Sequence, residues 1–362
     1  MKRPFALIGI AYLSVQAALF YLESDLAAAI LTAVCFIGTI VSLFILKNRN
    51  LRHTVLCFCL TAAFASTIFS GYNIFVKQPI VDKYSEREIY VTATVLEQPT
   101  VQYDTYRYLI ETDSINGKIE KLKICLSTIN ELNVEEFDRI SCVLPLKECT
   151  KSQMIADGAF LQASVNKNFA YIVKKTDDKP LYYQAVKIRE NFADSFEQNM
   201  SQDCASLCRA VLLGEKTALS QEIQNDFTRC GVSFLIVVSG MHLAIISSFV
   251  FLCIKKIIKN RVLRSMIMLM CAFSFMAVTG FAPSVVRAGV MLAVVYSGKM
   301  FMRKGDSLNS LGIAALILTV PNPTAVADVG MLLSFTATLG IILWARKISV
   351  YIMGKFAKLK RL

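Results

Sequence analysis

Charged residues are scarce in this chain of 362 residues: they make up 18% of it, whereas soluble domains contain about 25%. Histidine is rarer still, with two residues, and the His-Glu-x-x-His sequence of zinc proteases is absent. The Gly-x-Ser-x-Gly sequence that carries the nucleophile of many hydrolases is absent as well. Hydrophobic residues make up 55%. This composition excludes disordered and collagen-like chains and most soluble enzymes, and it predicts an integral membrane protein with a water-soluble insert.

Acidic residues are nearly missing outside one segment. Residues 77–230 contain 19 basic and 23 acidic residues, while the rest of the chain contains 20 basic and 4 acidic ones. The net charge of +12 therefore comes from the apolar part of the chain. This distribution is what the positive-inside rule produces in short loops between membrane spans.

Apolar runs of roughly 17–25 residues, the length that crosses a hydrocarbon core, occur on both sides of the insert. Three precede it and five follow it, near 4–22, 26–46, 54–76, 232–254, 265–282, 284–302, 307–321 and 326–345. The basic loops predict an eight-span protein of the cytoplasmic membrane, with its N-terminus inside and residues 77–230 outside. Arg287 is the one basic residue beyond the insert that falls at a predicted non-cytoplasmic position.

Residues 88–173 have the alternation of short strands, with a hairpin signal at Asn116-Gly117. Five or six strands in this length predict a small all-β barrel of the OB type, inserted after the third span. From Pro180 to Cys230 the apolar period changes to that of amphipathic helices, with one stripe through Ile188 and Phe192.

Two interpretations of the barrel surface stay open. An OB barrel can bind single-stranded nucleic acid through aromatic and basic side chains, and the candidates are Tyr106, Arg107, Tyr108, Lys121 and Lys123. Alternatively, the tyrosines pack the barrel and the lysines belong to a solvated hairpin. The net charge of −4 over residues 77–230 favours packing, because a nucleic-acid groove normally has a basic footprint.

Cysteine gives little information about function. Among the eleven cysteines, Cys125, Cys142 and Cys149 lie in the predicted external insert, where a disulfide is permitted, but their pairing does not follow from the sequence. Cys204 and Cys208 form an incomplete metal site. We therefore expect no metal and no cofactor.

Polar residues inside the apolar half form four clusters, which matter because lipid penalises them. The candidates for a polar pathway are Ser239, Gly240, His242, Gly280, Pro283, Ser284, Arg287, Asp328 and Ser334, and the remaining cluster is 306–309. Each has a plainer alternative. His242 can be a buried side chain bonded to a carbonyl, Arg287 can snorkel to lipid headgroups, and Asp306 and Asp328 can cap helices. Ser239 and His242 are three residues apart, so we expect them to share a helix face within the span.

These clusters, in this order, resemble the motifs of the ComEC family, the membrane channel of bacterial natural competence. The matching stretches are Leu212-Leu213-Gly214-Glu215, Phe227 to Ser239-Gly240-Met241-His242, Gly280 to Ala288, and Pro321 to Phe335. The resemblance implies transport of single-stranded DNA across the cytoplasmic membrane, with other competence proteins and copies of itself as partners. One departure is Met241, where the family pattern has leucine, a change that conserves volume.

The resemblance also implies a domain organisation. We expect a three-span anchor at 1–76, the barrel at 77–175, linking helices at 176–230, an incomplete competence-type membrane domain at 231–345 and a basic amphipathic cytoplasmic tail at 346–362. Family members usually continue into further spans and often a metallo-hydrolase-like domain, so the chain is expected to be a fragment or a short variant, and not an enzyme. The rival functions are a small-molecule permease with an external docking barrel and a membrane-embedded hydrolase. A permease predicts an inverted repeat, which the sequence does not show, and Ser239 and His242 lack an acidic partner within a span.

Overall fold

The computed structural model describes residues 3–22, 25–44, 48–102, 105–165, 169–175, 182–215, 219–302 and 305–359. The chain divides into two compact units, one formed by Met1–Gly71 with Val290–Leu362 and the other by Tyr72–Gly289. The α-helices of the described residues are α1 (Pro4–Leu22), α2 (Asp25–Phe44), α3 (Arg49–Tyr72), α4 (Gln78–Tyr84), α5 (Ser152–Ala156), α6 (Tyr183–Asn199), α7 (Gln202–Cys208), α8 (Gln221–Arg229), α9 (Gly240–Ile257), α10 (Arg261–Val278), α11 (Pro283–Met300), α12 (Ser307–Thr319) and α13 (Val329–Leu359).

Several of these helices are apolar and long enough to cross a membrane. Within the described residues five segments meet that length and hydropathy: Pro4–Leu22, Leu51–Tyr84, Gly240–Ile257, Arg261–Val278 and Val329–Met353. The second is long because α3 continues through the π-helical turn Asn73–Lys77 into α4. The other three predicted runs also form helices, namely α2, α11 and α12, without reaching those limits over the described residues.

Two helix boundaries differ from the expectations. The predicted span at 232–254 begins as a 3₁₀ turn, Ser233–Ile236, and the α-helix starts only at Gly240. Ser239 is therefore the N-cap of α9, and the expectation that it lies inside the helical span is wrong, whereas its expected proximity to His242 is confirmed. The span expected to end at residue 345 and the amphipathic tail expected after it form one continuous helix, α13, which ends at Leu359.

In the first unit, α1 and α12 lie side by side and run in the same direction. Arg3 pairs with Asp306 at 2.7 Å, and the Ala6 N–H donates to Asn309 Oδ1 at 3.1 Å. One turn further along each helix, Gly9 and Gly312 meet backbone to backbone. A Cβ added to Gly9 would lie 2.2 Å from the Gly312 carbonyl oxygen, so only glycine permits this crossing. Beside it, residues of α1, α2 and α3 form a buried cluster: Tyr12, Val15, Leu19, Cys35, Ala62 and Ala65.

The second unit begins with the predicted barrel. Its strands are β1 (Arg87–Val95), β2 (Thr100–Gln102), β3 (Thr105–Ile115), β4 (Lys118–Ile119), β5 (Lys123–Thr128), β6 (Arg139–Glu148), β7 (Leu161–Val165) and β8 (Tyr171–Lys174). Five of them close in the order β1-β3-β5-β7-β6-β1, antiparallel except for the parallel β5–β7 pair. The closed five-stranded barrel is OB-like, as the sequence predicted.

The barrel register follows from the alternation in the sequence. Ile89, Val91, Ala93 and Val95 of β1 all point inward and are at most 4% exposed. Asn116 and Gly117 both have positive φ, 48° and 78°, which is the backbone of a tight hairpin turn between β3 and β4. The bulge between Thr92 and Ala93 shifts the pairing of β1 with β3, which lets the strand bend around the barrel.

Candidate functional site

The start of α9 is a closed polar ring between Ser239 and His242. The Ser239 N–H donates to His242 Nδ1 at 3.1 Å, and Ser239 Oγ lies 3.1 Å from the same nitrogen. Because Nδ1 accepts a hydrogen bond, the neutral imidazole carries its proton on Nε2. His242 is thus held by its own helix cap and not by a backbone carbonyl, and its Nε2–H is oriented by that cap.

The start of α11 packs directly against the start of α9. Ser284 Oγ donates to the Val238 carbonyl at 2.6 Å, and a Cβ on Gly240 would lie 2.7 Å from the Ala288 Cβ. Glycine at position 240 therefore permits close approach of the two helices. Arg287 follows Ser284 by three residues on α11 and is 8% exposed.

A third motif stretch reaches the same place. Gly214 has a φ of +87°, and a Cβ there would lie 3.5 Å from the Thr279 carbonyl oxygen and 3.6 Å from the Val238 side chain. Three stretches that are separate in sequence thus meet at residues 213–215, 238–242 and 279–287, which we call the motif junction. The junction lies at the N-terminal ends of α9 and α11 and the C-terminal end of α10.

A buried ionic network joins the motif junction to the barrel. Arg189 of α6, Glu136 of the loop before β6, and Glu215 of the junction are 4%, 7% and 4% exposed. Arg189 pairs with both carboxylates, with its Nε 3.0 Å from Glu215 Oε1. Glu215 Oε2 also forms an ion pair with Arg209 Nη2 at 2.9 Å, and Glu215 Oε1 accepts a hydrogen bond from Gln98 Nε2 at 3.2 Å.

The electrostatics of the network follow from its burial. Burial raises the pKa of the Glu136 carboxyl, and the neighbouring Arg189 only partly offsets that effect. Burial alone would lower the pKa of Arg189, but Glu136 and Glu215 outweigh it and raise that pKa. The guanidinium is therefore a fixed positive charge between two acidic groups.

The sequence did not reveal this network. It predicted an amphipathic helix with an apolar stripe through Ile188 and Phe192, placed on the outer leaflet or over the bundle, and those side chains are 47% and 51% exposed. The buried stripe is instead Val186, Arg189 and Ala193. The only available sign was the Leu-Leu-Gly-Glu stretch, which places an acidic residue directly after an apolar run.

The nucleic-acid candidates of the barrel are dispersed. Tyr108 lies in the barrel core at 1% exposure, and its hydroxyl accepts the Leu132 N–H at 2.8 Å. Burial raises the pKa of Tyr108 to about 12. Tyr106 packs partly against the same core, and Lys123 Nζ donates to the Asp157 carbonyl at 3.1 Å. Lys121 is exposed and Arg107 is half-buried. The placement of Tyr108 agrees with the packing interpretation.

The face of an OB barrel that commonly binds oligonucleotides is formed here by β3 and β5, and it is covered. Leu109, Cys125 and Ser127 point away from the barrel interior, yet they are 7%, 0% and 6% exposed. The segment Cys149–Phe160, which contains α5, covers this face, and Lys151 Nζ donates to Ser127 Oγ at 3.3 Å. Cys125, Cys142 and Cys149 are buried and free, so no disulfide joins them.

The fourth cluster lies in the other unit, at the start of α13. Asp328 Oδ1 accepts the Gly330 N–H at 2.9 Å, the geometry of a helix N-cap. The Ser334 carbonyl accepts a hydrogen bond from Thr338 Oγ1 at 2.8 Å, one turn along the helix. Asp306 likewise caps α12 by accepting the N–H groups of Leu308 and Asn309, which confirms the capping alternative for that residue.

Comparison with known proteins gives two matches. Residues 211–362, which contain the whole motif junction, match the family model of the Competence protein family. Over 325 residues the chain is 20% identical to ComE operon protein 3 of Bacillus subtilis (strain 168). The aligned region covers 88% of this chain and 41% of that relative. No solved structure matches the chain. The chain thus spans about two fifths of the length of the curated relative, and the resemblance to the ComEC family predicted from the motifs is confirmed. Together with the apolar helices, these similarities identify a membrane protein.

Proposed function

We propose that this chain is a membrane channel component that carries single-stranded DNA across the cytoplasmic membrane during natural transformation. One observation carries the proposal: three motif stretches of the region that matches the Competence family converge at the motif junction. Polar and ionisable side chains held among apolar membrane helices commonly mark a substrate or ion pathway, and Ser239, His242 and Arg287 are of this kind.

The chemistry of the junction suits a polyanion. A chain of phosphates needs a polar or cationic lining to cross a membrane. Arg287 supplies a positive charge, and α9 and α11 both direct their positive N-terminal dipole ends toward the junction. His242 adds an oriented Nε2–H donor. The proposal assigns passage and no catalytic step to these groups.

The helix directions support the orientation in which the N-terminus is inside and residues 77–230 are external. In the first unit α1 and α12 are parallel, so Arg3 and Asp306 lie at the same end, as the loop charges predict. In the second unit the barrel network and the starts of α9 and α11 share one end. DNA would then reach the junction from the barrel side, and the partners would be the strand itself, the lipid bilayer and other competence proteins.

The test is Arg287→Gln in the full chain, expressed in its own host in place of the unmodified protein. A charge-assisted contact to a phosphate contributes roughly 1.5–3 kcal/mol, so uptake of labelled DNA into the cytosol should fall about tenfold or more. DNA bound at the cell surface should not change, and uptake is normalised to the amount of protein in the membrane.

Arg229→Gln is the matched control, because that side chain is 82% exposed and pairs only at 3.8 Å with its helix neighbour Asp226. It should leave uptake unchanged. Equal uptake for the Arg287 and Arg229 variants would reject the role of the junction in DNA passage.

A further inference from the structure

We infer that Arg189 is a positioning residue that sets the turn at 279–282, and with it the start of α11, against the barrel. The inference rests on the proposed function, because it assigns a control point to the same junction. Arg189 is not in any of the motif stretches, and it comes from α6, a helix whose other buried residues are small or apolar.

The first step is that Arg189 is held from both sides. Glu136 belongs to the barrel and Glu215 belongs to the motif junction, and all three side chains are buried. Glu215 is fixed in turn by Arg209 and Gln98. The planar guanidinium therefore has little freedom to move, unlike the flexible ammonium of a lysine.

The second step is that the turn is shaped around this guanidinium. Gly280 has a φ of +66°, and a Cβ there would lie 3.0 Å from Arg189 Nη1 and 3.8 Å from the Tyr182 hydroxyl. A series of aromatic rings follows the same route from barrel to membrane helix. The centroid of the Tyr182 ring is 5.7 Å from that of Phe137 of the barrel and 5.3 Å from that of Phe281 of the turn. The Phe281 ring in turn lies 6.0 Å from the Phe273 ring of α10.

The third step leads from the turn to α11. Pro283 is the first residue of α11, and the next residue, Ser284, holds α11 to α9 through the Val238 carbonyl. A displaced turn would therefore move Ser284 and, one helical turn later, Arg287. The Arg189 guanidinium thus couples the position of the barrel to the position of Arg287.

A fluorescence experiment tests the coupling without DNA. The single tryptophan, Trp344, is changed to Phe, and Phe281→Trp makes the turn fluorescent in the full chain in nanodiscs. Adding Arg189→Lys should shift the emission of the introduced indole to longer wavelength, because the turn loses its support. Arg139→Met removes a surface pair with Asp113 at 3.2 Å and 48% exposure, and it should leave the emission unchanged. An unchanged emission in Arg189→Lys would overturn the inference.

A double-mutant experiment tests the coupling in cells. Gly280→Ala places a Cβ against Arg189 and also strains the backbone, because φ is +66° at this position. Gly117→Ala is the control for backbone strain alone, since Gly117 has a similar φ of +78° and its Cβ would meet no atom within 4 Å. Per molecule in the membrane, Gly280→Ala should lower DNA uptake several-fold more than Gly117→Ala. Adding Arg189→Lys to Gly280→Ala should not multiply the two losses, because the clash partner is gone.

The outcomes separate this inference from the proposed function. Multiplicative losses in the double variant would mean independent residues and would overturn the inference. An emission shift without any loss of uptake, while Arg287→Gln still lowers uptake, would also overturn it and leave the proposed function standing. If Arg287→Gln has no effect either, the proposed function fails.

Discussion

Replacing Gly312 by alanine should separate α1 from α12. A Cβ at this position would lie 2.0 Å from the Phe5 carbonyl oxygen and 2.9 Å from the Ala6 Cα. Both contacts are backbone atoms of α1, so no side chain can turn away. Since Cβ atoms essentially never come within 3.0 Å of such an atom, the helices must move apart by at least about 1 Å.

A gap of that size has a calculable cost. A separation of 0.5–1 Å forfeits roughly a quarter to a half of the dispersion energy of each contact along the crossing. Overpacking of this kind costs about 1–3 kcal/mol, and the Ala6 N–H bond to Asn309 is lost with it. We expect Gly312→Ala to destabilise the chain by about 2–4 kcal/mol, although alanine favours an isolated helix by about 1 kcal/mol.

The assay uses the buried free thiols as unfolding reporters. Cys35 and Cys59 are buried in the first unit, so, with the other nine cysteines replaced by alanine, a thiol-reactive fluorophore should report its thermal unfolding in detergent. Gly298→Ala is the matched control, because the same change on α11 meets no atom within 4 Å and should raise stability slightly. Equal melting temperatures for the two variants would refute the backbone-to-backbone crossing and, with it, the parallel direction of α1 and α12.

Two further predictions concern a pH dependence and a second close contact. The Asn309 N–H and Arg3 hold the pKa of Asp306 below its usual range, so its charge stabilises the fold above the unfolded pKa of about 4 and stops doing so as pH falls through the folded value. Asp306→Asn keeps an N-cap, so it should lower the melting temperature at pH 7, and the difference from the unmodified chain should disappear once the pH lies below the folded pKa of Asp306. Gly240→Ala should cost about 1–3 kcal/mol, less than Gly312→Ala, because its Cβ would lie 2.7 Å from one atom, the Ala288 Cβ, whereas the Cβ at position 312 would lie within 3.0 Å of several backbone atoms of α1. An equal loss of melting temperature would contradict that ranking.

The barrel could be predicted because its information is local. Alternation along Ile89–Val95 and the Asn116-Gly117 turn each specify a strand or a hairpin without reference to the rest of the chain. The closed strand order follows from few topological choices for five short strands. The covering of the β3–β5 face by Cys149–Phe160 could not be predicted, since nothing in that segment signals which face of the barrel it meets.

The start of α9 was misjudged for a related reason. Hydropathy does not distinguish the 3₁₀ turn Ser233–Ile236 from helix, because both are apolar. The N-cap role of Ser239 depends on a hydrogen bond to the His242 ring, which is a property of the fold and not of spacing alone. The burial of Arg189 on α6 could not be predicted, because it depends on Glu136 and Glu215, which lie 53 and 26 residues away.

Packing explains why some of the motif residues have the identity they do, but it does not explain all of them. Gly214, Gly240 and Ser284 are accounted for by close approach and by a bond to a carbonyl. Arg287 differs from them, because it is a buried cation near the positive N-terminal end of α11. The proposed function gives this cation a phosphate to contact, so we expect its charge to matter for DNA passage. Arg287→Gln should therefore lower DNA uptake without lowering the melting temperature of the chain, and a loss of both together would assign Arg287 to the fold.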